Sequence, residues 1–137
     1  MQGGDGRVLL VDDDHDVRAV AAAMLTEAGY DVVEADSGGG ALELLEDPDL
    51  RVEIMIADIV MPGMNGVELA HEVRRRYPEM PVLFVTGFGG TALPANQKMP
   101  GELLRKPFRA AELRAKVTAM LRQVQRRGPL GQLGCAD

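Results

Sequence analysis

A chain of 137 residues, 46% hydrophobic and 26% charged, has room for one globular domain with a sizeable core and none for a second. Its single cysteine, Cys135, excludes an intramolecular disulfide and a cysteine metal cluster, and neither its short apolar runs nor the opening MQGGDGRV fits a membrane span or a signal peptide. The net charge of -6 hides a division, since residues 1–58 carry fifteen acids and three bases while residues 59–137 carry six acids and twelve bases. The basic side chains of the second half, Arg74 to Arg76 and those from Arg105 to Arg127, lack interleaved aromatics, so they read as solvated helix faces and not as a nucleic-acid surface. A soluble cytoplasmic chain without membrane or direct nucleic-acid contact is the expectation.

Strand and helix patterns alternate along the chain. The apolar run Val8–Val11 fits a strand buried on both faces, as do VEIMIAD (Val52–Asp58) and VLFVT (Val82–Thr86). Shorter strands are predicted at Asp31–Ala35 and Glu102–Leu104. After the first strand, Val17, Val20, Ala21, Met24, Leu25 and Ala28 recur at helical spacing and Gly29 stops the helix. A second helix is predicted from just after Ser37 to near Asp47, weakened by the triplet Gly38–Gly40. A third starts near Asn65 with Val67, Leu69, Ala70 and Val73 and ends before Pro78. Gly87, Gly89, Gly90, Pro94 and Pro100 interrupt the segment before Gly101, so a fourth helix there is expected to be short or irregular. The last helix carries the stripe Leu113, Val117, Met120, Leu121 and Val124. Five strands alternating with helices imply a parallel sheet covered on both faces, with residues 7–126 as the domain and 1–6 and 127–137 as tails.

Open α/β sheets place sites beyond the carboxyl ends of their strands. Asp12 and Asp13 follow the first strand, Asp58 ends the third, Thr86 ends the fourth and Lys106 follows the fifth. Taken singly, each has a bland explanation: Asp14 and Asp16 as helix caps, Asp58 before a turn, Thr86 as a strand residue, Lys106 as surface. Their convergence on one sheet edge is the informative observation. Carboxylates crowded there repel and call for a cation, and a hard cation prefers oxygen ligands.

The motifs VDDD, ADIVMPGMNG, FVTG and RKPF together resemble the receiver domain of two-component response regulators, over about Arg7 to Arg126, and especially receivers attached to hybrid sensor kinases. The resemblance implies a flavodoxin-like fold with strand order 2-1-3-4-5 and a signalling role, not that of an enzyme. It implies Asp58 as phosphoacceptor, with Thr86 and Lys106 holding the phosphoryl group. Magnesium or manganese would be held by Asp12, Asp13, Asp58 and the backbone carbonyl of Val60. The implied partner is a sensor histidine kinase or histidine phosphotransfer protein, docked near His15, Arg18, Pro107 and Phe108. The chemistry is consistent, because a carboxylate can attack phosphorus once the surrounding negative charge is neutralised.

Rival readings fit less well. An EF-hand calcium loop starting at Asp12 would need glycine and glutamate where Val17 and Ala23 stand. A flavin module would need a Ser, Thr and Gly-rich loop after the first strand. An aspartate-nucleophile phosphohydrolase remains the alternative, although Val60 stands where its second acid belongs. Two departures from the receiver pattern concern output and lifetime. Leu103 occupies the place of an aromatic switch residue, and Val60 and Phe88 are apolar where polar side chains would orient a hydrolytic water.

Overall fold

The structure, a computed structural model, describes residues 6–87 and 101–136, with side chains described as far as Gln123. In chain order the elements are β1 (Arg7–Val11), α1 (His15–Glu27), β2 (Asp31–Ala35), α2 (Gly38–Leu45), β3 (Ile54–Asp58), α3 (Gly66–Arg76), β4 (Val82–Thr86), β5 (Glu102–Arg105) and α4 (Ala110–Ala136). The strands form one parallel sheet in the order β2-β1-β3-β4-β5, the doubly wound arrangement read from the sequence. The expected irregular helix between β4 and β5 lies outside the described residues.

Local chemistry sets the helix starts. Asp14 caps α1 by accepting from the amides of Asp16 and Val17, and Ser37 caps α2 by accepting from Gly40. Asn65 and Glu68 form a reciprocal capping box at α3. Gly29, with φ of 98°, turns the chain from α1 into β2. Two expectations need correction. Val20 is not in the core stripe but 57% exposed, and Ala22 is buried in its stead; the buried face of α1 is narrower than the apolar pattern suggests. The backbone of α4 also continues past Arg126 to Ala136, through Gly128 and Pro129 and against the usual helix preference of both.

Side-chain alternation divides the core between the two faces of the sheet. Leu9, Val11, Met55, Ala57, Val82 and Phe84 pack with α2 and α3, whereas Val8, Leu10, Ile54, Ile56, Leu83 and Val85 pack with α1 and α4. Both faces are therefore apolar, and Asp12 and Asp58 lie at the carboxyl ends of β1 and β3.

Candidate functional site

The Asp12 amide donates to the Ala35 carbonyl at 3.1 Å, so the chain leaves β1 still tied to the end of β2. The next turn folds back on itself, with the Asp14 amide donating to Asp12 Oδ1 at 2.9 Å. Of the four clustered carboxylates, Asp14 serves the α1 cap and Asp16 its first turn, which leaves Asp12 and Asp13 facing the strand ends. Asp58 closes β3. The Ile59 amide donates to Val85 and the Gly66 amide to Ile59, and a Cβ on Gly66 would collide with the Asp58 carbonyl oxygen. Only glycine lets α3 begin so close to Asp58. The Lys106 amide donates to the Thr86 carbonyl at 2.7 Å, locking the ends of β4 and β5 together just before the cis Lys106–Pro107 peptide.

These constraints bring the predicted residues together. Lys106 Nζ lies 3.1 Å from Asp58 Oδ2 and 3.4 Å from Asp12 Oδ2. Asp12 is 5% exposed and Thr86 2%. Burial pushes the Asp12 carboxyl above the usual carboxylate range, only partly opposed by the Asp14 amide and the Lys106 charge. Burial alone would lower the Lys106 ammonium, but the charges and hydrogen bonds of Asp58 and Asp12 outweigh it and hold its pKa above the usual lysine value. The Thr86 hydroxyl lies 3.4 Å from the Gly87 carbonyl, a distance too long for a firm tether.

Carboxylate oxygens of Asp12, Asp13 and Asp58 lie within 4.8 Å of one another. An all-oxygen, triply anionic donor set suits a hard divalent cation. The one ammonium at the site reaches Asp12 and Asp58, and among the described residues no hydrogen bond or ion pair engages the Asp13 carboxylate. The donor chemistry therefore fits magnesium or manganese. Val60 stands beside this set, its amide donating to Asp58 Oδ1 at 3.2 Å and its side chain 55% exposed.

Beside the site, α1 and the segment after β5 border an open groove of about 530 Å³ lined mainly by apolar side chains, among them Val17, Val20, Met24, Pro107 and Phe108. Arg18 behaves differently from the docking role suggested for it. Its side chain is 13% exposed and turns onto the Asp12 carbonyl, a contact without a sequence signal because the acceptor is backbone. Leu103 is at the surface, 36% exposed. Phe88 lies outside the described residues.

A family model described as the response regulator receiver domain matches residues 8–118. The response regulator receiver protein CpdR of Brucella abortus is 36% identical over 84% of this chain and 96% of its own length. The sensor kinase CckA of the same organism is 39% identical over 86% of this chain, which spans only 13% of that kinase. A CheY-like receiver domain protein of Methanospirillum hungatei superposes with a TM-score of 0.75 at 27% identity, covering 90% of this chain and 98% of that one. Among the described residues no helix is long and apolar enough to cross a membrane.

Proposed function

The chain belongs to the response regulator receiver family of two-component signalling, and on that premise we propose that it takes a phosphoryl group from a phosphohistidine onto Asp58. The observation that carries this reading is the convergence of one ammonium and three carboxylates: Lys106 bridges Asp58 and Asp12, and the carboxylate oxygens of Asp12, Asp13 and Asp58 lie within 4.8 Å of one another. Asp12, Asp13 and Asp58, with the Val60 carbonyl, would hold magnesium or manganese, which when bound neutralises charge on the phosphoryl oxygens.

The remaining work belongs to the protein's own groups. A carboxylate oxygen of Asp58 bonds to phosphorus as the phosphorus–nitrogen bond of the donor imidazole breaks. Lys106 shifts from the carboxylates to a phosphoryl oxygen, a short move for a flexible ammonium already 3.1 Å from Asp58. Thr86, only loosely engaged with Gly87, is free to donate its hydroxyl to another phosphoryl oxygen. Buried Asp12 fixes the back of the site.

The partner would be a sensor histidine kinase or histidine phosphotransfer protein. The groove between α1 and Phe108 offers it an apolar seat beside Asp58, and its phosphodonor, charged from ATP, would place the encounter in the cytoplasm. Residues 7–126 would form the functional unit. Incubation with acetyl phosphate and magnesium should add one phosphoryl group, detected by mass spectrometry, in the parent and not in Asp58→Ala. Equal modification of both proteins would overturn the assignment.

A further inference from the structure

Among the described residues no side chain tethers the Asp13 carboxylate, so its direction there depends on the backbone that carries it. That backbone is held in an uncommon way. Past the last β1–β2 pair, Val11 with Ala35, Arg18 Nη1 donates to the Asp12 carbonyl at 2.7 Å. The guanidinium is braced from two further sides. Its Nε donates to Glu34 Oε1 on β2 at 3.0 Å, and Nη2 lies 3.3 Å from His15 Nδ1, an acceptor in the tautomer protonated at Nε2.

We propose that Arg18 is a positioning residue for the metal site, orienting the peptide between Asp12 and Asp13 so that Asp13 points at the cation. The proposal rests on the magnesium reading above. The Asp12 carbonyl and the Asp13 amide share one rigid plane. With its amide on Ala35 and its carbonyl on Arg18, Asp12 is pinned at both peptide bonds, and Asp13 starts from a fixed orientation. The guanidinium reaches the carbonyl through Nη1 and Glu34 through Nε, two nitrogens fixed in one rigid plane; a lysine, with a single nitrogen on a flexible stem, does not reproduce that geometry. Arg18 is also a cation beside a cation site. By Coulomb's law alone its removal would tighten metal binding, so a weakening can come only from lost orientation.

The test is direct manganese binding to the full chain, read from the free-ion electron paramagnetic resonance signal, with circular dichroism recording the fold. Loss of a group that orients metal ligands weakens affinity about 10-fold or more. Arg18→Met and Arg18→Lys should both show that weakening with parent-like dichroism. Should Arg18→Met fail to fold, Arg18→Lys decides. In an Asp13→Asn background the Arg18→Met penalty should largely disappear, because the residue being aimed is no longer a carboxylate. Unchanged or tighter binding in Arg18→Lys, or a full penalty retained without the Asp13 carboxylate, would overturn the positioning role alone. Failure of the parent to bind manganese would overturn the metal reading with it.

Discussion

Lys106 and Asp58 are 48 residues apart in the chain, yet their Nζ and Oδ2 atoms lie 3.1 Å apart across the ends of β5 and β3. The ammonium acts as an internal counterion for a site with three carboxylates. Lys106→Met should therefore lower the stability of the metal-free protein by about 1–2 kcal/mol, less than for a fully buried pair because water reaches both groups. Since the Lys106 pKa is raised on folding, its contribution is complete below the unfolded lysine value of about 10.4 and is lost as pH rises through the folded value. Urea unfolding across pH 8–11 should show that alkaline loss in the parent only. A parallel loss in Lys106→Met would refute it.

Asp12 has the opposite consequence at neutral pH. Burial raises its pKa, so its contribution to folding is complete below the unfolded value of about 3.9 and is lost as pH rises through the folded value. Ionised Asp12 therefore costs stability at pH 7. Asp12→Asn keeps an oxygen for the Asp14 amide and should raise the urea midpoint of the metal-free protein at pH 7, the gain shrinking towards pH 3. A midpoint below the parent's at pH 7 would contradict this sign.

Gly66 packs against the backbone of Asp58. Because an added Cβ would meet the Asp58 carbonyl oxygen and Ile59 Cα, neither of which can yield without moving β3 or α3, Gly66→Ala should cost about 1–3 kcal/mol. Thermal unfolding measures it. Gly39, whose Cβ would enter open space on α2, is the control: Gly39→Ala should be stabilising by up to about 1 kcal/mol.

The proposed phosphoryl group on Asp58 should be lost slowly because of Val60. Its exposed aliphatic side chain cannot hydrogen-bond a water aligned with the phosphorus–oxygen bond, and its bulk excludes one. Val60→Asn should therefore hasten loss of the phosphoryl group, followed as acyl-phosphate decay after removal of the donor. Indistinguishable half-lives would show that this side chain does not govern the water.

Features with short-range causes were legible in the sequence. Asp14, Ser37 and Asn65 cap helices through bonds to amides two or three residues away, and β2 and β4 have the bounds read from the sequence. The approach of Asp12, Asp13, Asp58 and Lys106 followed from placing each at a strand's carboxyl end. Val20 was misread because helical periodicity marks an apolar stripe without giving the width of the surface that covers it. The bracing contact of Arg18 is not legible because its acceptor is a peptide carbonyl, and a sequence carries no mark of which carbonyl lies beyond the last ladder bond.

The two-sided apolar core also bears on how β3 is aligned. Ile54, Met55, Ile56 and Ala57 are all apolar, so sliding the strand by one residue would still bury hydrophobic side chains at three of these four positions, and the apolar residues alone would hardly oppose the slippage. Asp58 opposes it. A one-residue offset would carry its carboxylate away from Lys106 and towards the α2–α3 layer of Leu9, Ala57 and Phe84, where an unpaired charge is prohibitively costly. The acid that would receive the phosphoryl group thus doubles as the peg that aligns the central strand, and a deletion within β3 would be detected by the chemistry of the site before it was felt by the core.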